Sequence, residues 1–206
     1  MYERFRERFS VDSSDKAVRV NRSVESGEAH LRELFAQFGG DSFNDGLYRV
    51  MDAGASDSWS KLVGQAFPTF SGAVTCFGFD WLGRIFALDA RRLVEGLPGV
   101  VMLEPGTGQA LEIPCNVHNF HESELIEYRE EALAASFFQK WISIGGDAPK
   151  VAECIGYKKP LFLGGKDTVE NLERSDMDVY WTIATQLIEK ARGLPAGTRI
   201  GSVRID

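Results

Sequence analysis

The sequence predicts an α+β fold in which a mainly antiparallel sheet packs against flanking helices. Three observations predict it. Short β-favouring runs follow one another through residues 73–113, parted by turn-forming Asp, Pro and Gly. Segments of helical periodicity bracket them on both sides. The regular strand–helix alternation of a parallel sheet is absent.

The elements follow in order. Phe5 and Phe9 stand one helical turn apart and can dock a short amphipathic arm. Residues 1–27 otherwise read as peripheral, with a polar, Ser-rich stretch from Ser10 to Gly27 that runs over the surface or forms an irregular connection. Leu31, Leu34, Phe35 and Phe38 keep helical spacing up to Gly39-Gly40. Asn44-Asp45-Gly46 signals a turn into a short strand at 47–50. Ser56 is expected to cap a second helix, with Trp59, Leu62, Val63 and Ala66 on one face and Pro68 as its stop. Residues 73–79 and 84–88 predict two strands joined by a hairpin loop of Asp80, Trp81, Leu82 and Gly83. Residues 100–103 are continuously apolar, as in a central strand buried on both faces. Pro105-Gly106-Thr107-Gly108 turns the chain back into a strand at 110–113, which Pro114 is expected to end.

A long helical region comes next, and its length allows two helices. Asn119 and Glu122 have capping-box spacing. Leu125, Tyr128, Ala132, Leu133, Phe137 and Trp141 form the apolar face, and Gly145-Gly146 closes it. Residues 160–163 predict a strand and residues 170–173 another short one. Ser175 is the expected N-cap of the last helix. Met177, Tyr180, Ile183, Ala184, Leu187 and Ile188 are its buried stripe, and Gly193 and Pro195 stop it. Weak alternation at 198–205 fits an edge strand.

The 206 residues are 44% hydrophobic and include 14 Phe, enough for one large or two small domains with a sizeable core. Asp and Glu number 30 against 23 Lys and Arg, a formal charge of −7. A phosphate-binding surface usually shows the opposite balance, so direct nucleic-acid binding is disfavoured and a basic protein partner fits. No apolar run approaches the roughly 20 residues that cross a bilayer, and MYERFRERF lacks a secretory apolar core. Cys76, Cys115 and Cys154 are scattered without a CxxC pair, which reads as reduced thiols in a cytosolic protein.

Candidate chemistry is sparse. His118, His121 and Glu124 form H-x-x-H-x-x-E, a spacing that can put two metal ligands on one helix face; a structural or surface role is the commoner reading. Asp80, Asp89 and Glu104 lie at strand ends and could converge as paired carboxylates, against the alternative of turn capping and ion pairs with Arg84, Arg91 or Arg92. No nucleophile elbow, phosphate loop or dinucleotide fingerprint is present. The strongest feature is charge. Between Glu104 and Glu131 stand seven glutamates and one basic residue, Arg129; Asp167, Glu170, Glu173, Asp176 and Asp178 make a smaller group. Such runs are either solvated faces or a surface that steers a basic partner.

Two motif groups carry a family resemblance. GYKKPLFLGGKDTVENLERSDMDVYWTIATQL, residues 156–187, is similar to the C-terminal domain of bacterial type VI secretion immunity proteins that neutralise DNase effectors. LFAQFGGDSFNDGLYRV (34–50), FGFDWLGRIFALD (77–89) and VMLEPGTGQALEIP (101–114) resemble the GAD-related domain that accompanies it. The resemblance runs from about Glu28 to Leu194. It implies a SUKH-like α+β fold divided as an arm (1–27), a GAD-related part (28–116) and an immunity-type part (117–206), the last two packed as one unit. It further implies a cytoplasmic, stoichiometric inhibitor of a toxin, with no catalytic residues, no cofactor, no membrane association and no nucleic acid of its own. Physical blockade of a basic nuclease cleft is the mechanism expected. Glu122, Glu124, Glu127, Glu130 and Glu131 are the first candidates for the contact, and Asp167, Glu170 and Glu173 the second. Two other classes stay open: a metal-dependent hydrolase built on His118 and His121, and a ligand or peptide module with Trp59, Trp81, Tyr157 and Trp181 along a groove.

Overall fold

Six strands follow one another as an antiparallel meander, each paired with the next: β1 (Ser42–Phe43), β2 (Tyr48–Val50), β3 (Val74–Asp80), β4 (Ile85–Val94), β5 (Leu97–Glu104) and β6 (Gln109–Asn116). They belong to a computed structural model that describes residues 2–12 and 29–194. The expected edge strand at 198–205 lies outside the described residues. In the first half of β4, Ile85, Phe86, Ala87 and Leu88 are all buried. Successive residues of a strand point to opposite faces, so both faces are covered there.

The coverings are helical. α1 (Glu3–Arg8) and α2 (Ala29–Phe38) precede the sheet, and α3 (Ala53–Ala66) packs on β3 between β2 and β3 in sequence. After β6 come α4 (Val117–Asn119), a π-turn (Phe120–Glu124), α5 (Leu125–Glu127), α6 (Arg129–Leu133) and α7 (Ala135–Ser143). A second antiparallel pair, β7 (Glu153–Tyr157) and β8 (Leu172–Asp176), leads into α8 (Met177–Ala191), which packs on α3. Among the described residues no helix is long and apolar enough to cross a membrane.

The arm docks as its Phe spacing predicts, and deeply. Tyr2, Phe5 and Phe9 are buried, with Phe5 stacked on Phe9 at 4.6 Å and edge-on to Phe43 at 5.0 Å. Residues 10–12 lie at the surface but are tied down: Val11 bridges Phe43, and the Asp12 carboxylate accepts from Ser42 Oγ and from the amides of Asp45 and Gly46. This closes the Asn44-Asp45-Gly46 turn, where all three residues have positive φ.

Several boundaries differ from the sequence reading. α3 starts earlier, capped by Asp52, whose Oδ1 accepts from Gly54 N; Ser56 is buried inside the helix and donates to Cys76 O. Pro114 does not end its strand. β6 is an edge of the sheet, and the register shifts between Gly99 and Val100, so the missing amide costs no regular ladder bond. The long helix is several short ones, broken at Tyr128 and at Ala134, which has φ 48°. Residues 160–163 form no strand: Leu161–Leu163 is a 3-10 turn, and the strand is β7 just before it. α8 is capped by Asp176 rather than Ser175, through bonds from the amides of Asp178 and Val179.

Candidate functional site

The hairpin between β3 and β4 is the hub that holds the acidic helices in place. Asp80 is fully buried. Its Oδ1 accepts from the amides of Leu82 and Arg84, and its Oδ2 from Arg84 Nε at 2.6 Å. Arg84 then reaches Ala132 O at 3.0 Å, and the Trp81 indole donates to Leu133 O at 2.8 Å, so both ends of the hairpin grip α6. From the other side, Ile155 N donates to Trp81 O and the Trp181 indole donates to Gly83 O. Burial pushes the Asp80 carboxyl up, against the pull of Arg84. Asp80 and Glu104 both act on Arg84, while Asp89 lies elsewhere on β4 and is wrapped by Arg91. Asp80 and Asp89 are thus held in structural ion pairs with Arg84 and Arg91, while the Glu104 carboxyl, near Asp80, is pushed up chiefly by burial; the three do not converge together.

The helix after β6 begins at Val117 because the Asn116 side chain accepts from Asn119 N at 3.0 Å; the Asn119–Glu122 capping box is not used. The π-turn that follows adds a residue to the helical repeat. Phe120 and His121, neighbours in sequence, thereby both face inward. Phe120 packs on Phe86 at 4.9 Å and Phe77 at 5.7 Å. His121 Nδ1 lies 2.8 Å from Val117 O and must donate to it, so Nε2 is the acceptor for the Tyr48 hydroxyl at 2.9 Å. Burial pushes its pKa down to about 4. With both nitrogens engaged, His121 has no lone pair to offer a metal, and no group of ligating side chains converges among the described residues. The H-x-x-H-x-x-E spacing is that of a core histidine.

The outer face of the same segment is acidic. Glu124, Glu127 and Glu131 share one surface: the Glu124 carboxyl is pushed up by burial and then by the charges of Glu131 and Glu127. Arg129 does not neutralise them. Its guanidinium sits 5.3 Å over the Phe9 ring, its Nε is buried without a hydrogen bond, and desolvation pulls its pKa down. Arg4 reaches Glu127 at 2.9 Å, a pair that is half exposed on both sides. Glu122 accepts from Phe5 N, and Glu130 accepts from Ser136 N, so these two also hold α1 and the start of α7. Tyr128, read from sequence as part of the apolar face, is 52% exposed, because the helix breaks at that residue and turns its ring outward amid the glutamates.

The second acidic group is more mixed. Asp167 accepts from Tyr157 Oη at 2.7 Å, Glu170 O accepts from Lys158 Nζ, and Glu173 is exposed on β8. The Asn171 side chain donates to Lys159 O and Lys166 O and closes the GGKD loop. A Cβ on Gly165 would overlap the Lys159 carbonyl, which explains that glycine. Of the groove aromatics, Trp81, Tyr157 and Trp181 are core residues; Trp59 borders one cleft and Tyr157 a separate one, so the four line no common groove. All three thiols are buried, which pushes Cys76 and Cys115 up to about 12 and raises Cys154 as well.

Both acidic groups fall inside one recognisable unit. Residues 116–188 match the family described as T6SS immunity protein Tdi1, C-terminal. By this match residues 116–188 are similar to the C-terminal domain of an immunity protein of the type VI secretion system. The Tdi1-type unit begins at the last residue of β6 and ends within α8, so it takes in the acidic helices, the β7–β8 pair and all eight acidic candidates. Across nearly the whole chain, the fold is similar to the crystal structure of Atu4351 from Agrobacterium tumefaciens: TM-score 0.53, 16% identity, 90% of this chain and 89% of that one. At that identity the likeness bears on fold alone. No curated protein matches the chain.

Proposed function

We propose that this protein binds and neutralises a cognate type VI secretion toxin, and that the toxin is a DNase whose DNA-binding cleft it covers. The observation that supports the reading is the Tdi1 match over residues 116–188, the unit that presents the acidic helix face. A nuclease must offer a basic cleft to phosphates. Glu124, Glu127 and Glu131, of which Glu127 pairs with the half-exposed Arg4, are complementary to it. Tyr128 in their midst supplies the aromatic anchor that interfaces favour. Glu122 and Glu130 support this face, and Asp167, Glu170 and Glu173 are the second candidate surface. On this reading the protein is a cytoplasmic inhibitor that uses no cofactor, residues 28–116 are a GAD-related part, and the fold is SUKH-like.

The test uses a secreted type VI effector that this protein binds, sought first among the products of neighbouring genes. The triple reversal Glu124→Lys, Glu127→Lys, Glu131→Lys should weaken binding at least about 100-fold, consistent with several kcal/mol for like-charge juxtaposition. It should also abolish inhibition of DNA cleavage. Unchanged affinity would remove this face from consideration, and an effector that cleaves no DNA would remove the DNase.

A further inference from the structure

A cleft of about 370 Å³ opens where β2, β3, residues 151–152 and the first turns of α3 and α8 meet. Ligand clefts typically span roughly 300–1,000 Å³. Met51, Trp59, Phe79 and Met177 give it apolar walls. Trp59 is held in place edge-on to Trp181 at 6.4 Å. The rim carries Asp52, Asp176 and Asp178.

Those carboxylates decide what kind of ligand fits. Helix N-termini usually attract anions, but here the amides an anion would use are already taken. Asp52 Oδ1 accepts from Gly54 N at 2.8 Å, and Asp176 Oδ1 accepts from Asp178 N and Val179 N at 3.0 and 3.2 Å. The Oδ2 atoms of both caps, and the Asp178 carboxylate, have no hydrogen-bond partner among the described residues. Arg49 lines the cleft but is only 2% exposed. Its guanidinium donates to Pro149 O and Glu153 O and lies 5.5 Å over Phe79. Set against three carboxylates, the Arg49 charge and two helix ends of about half a charge each leave the rim negative.

We infer that this cleft receives a long basic side chain, arginine or lysine, presented by a partner protein. The methylene stem lies along Met51, Met177 and the Trp59 ring, and the cationic head reaches Asp52, Asp176 and Asp178. A long basic residue combines these two needs, an apolar stem and a charged tip, and an indole face adds attraction for the cation. The site shares no residue with the acidic helix and stands whatever the partner's activity.

The experiment is an NMR titration of the full chain with N-acetylarginine methylamide, using the Trp59 indole and the Met51 and Met177 methyl resonances. Saturable shifts are expected at about millimolar concentration, as for a small fragment. N-acetylnorleucine methylamide should bind at least tenfold more weakly. The Asp52→Asn, Asp176→Asn, Asp178→Asn variant should lose at least tenfold for the arginine compound while melting close to the parent, since Asn caps helices as well as Asp. Ser58→Trp, at an exposed rim position, should block the shifts without touching the carboxylates. The inference is overturned by equal binding of the norleucine compound, by phosphate producing the same saturable shifts, by unchanged affinity in the Asn variant, or by no saturation up to about 50 mM.

Discussion

His121 shows what one residue does in this fold. It sits among Tyr2, Phe5, Tyr48, Phe77 and Phe120, with its two nitrogens satisfied only in the neutral form. In the unfolded chain the ring takes up a proton near its ordinary 6.5; in the fold it does so only near 4. Between those values the unfolded state binds more protons. His121 therefore contributes its full share of stability above 6.5 and loses it as pH falls to about 4, by about 3 kcal/mol at most. Chemical denaturation at stepped pH should show this decline in the parent and a shallower one in His121→Gln. Equal slopes in both proteins would mean that the ring does not titrate differently in the folded state. The histidine was visible in the sequence; its role was not, because the one residue that the π-turn adds to the helical repeat decides which way it faces and leaves no mark on hydrophobic periodicity.

At the scale of elements, glycines record close packing that propensity does not. Gly156 lies in β7 under the Tyr180 ring of α8, and a Cβ there would overlap the ring. Tyr180 Oη also accepts from Tyr157 N at 3.3 Å, which fixes the ring in that position. Gly156→Ala should cost about 1–3 kcal/mol by overpacking. In a Tyr180→Leu background it should cost much less, and a double-mutant cycle of unfolding free energies measures the difference. Additive costs would contradict the contact. The same packing explains why β7 escaped the sequence reading. Glu153–Tyr157 has little alternation and a central Gly, whereas the apolar run at 160–163 looked like a strand. That run is a 3-10 turn because Gly164 takes φ +81° and Asn171 ties the loop back to Lys159. The meander was legible because its turns announce themselves: Asn44-Asp45-Gly46, Gly83 and Gly108 all take positive φ. The Glu95-Gly96 turn between β4 and β5 also takes positive φ at both residues, and it went unread because Glu is an unusual choice there.

For the whole molecule, the governing quantity is how its charge is laid out. A net −7 spread evenly would repel or attract partners weakly at any contact. Here the one arginine of the acidic run is drawn in against the Phe9 ring, and the Glu124 carboxyl is pushed up first by burial and then by the charges of Glu131 and Glu127. A surface that stores such repulsion gains when a cation arrives, and gains most at low ionic strength. Association with the proposed basic toxin should therefore be fast in dilute salt and slow by about tenfold or more as ionic strength rises from about 0.02 to 0.5 M, with dissociation much less affected. Stopped-flow mixing at several salt concentrations measures both rates. The Glu124→Lys, Glu127→Lys, Glu131→Lys variant should show a flat or inverted salt dependence of the association rate. The Asp52→Asn, Asp176→Asn, Asp178→Asn variant should keep most of the parent's slope, because its carboxylates act on one inserted side chain after the encounter and raise the dissociation rate when removed. A parent association rate indifferent to salt would mean that shape, and not this layout of charge, brings the partner in.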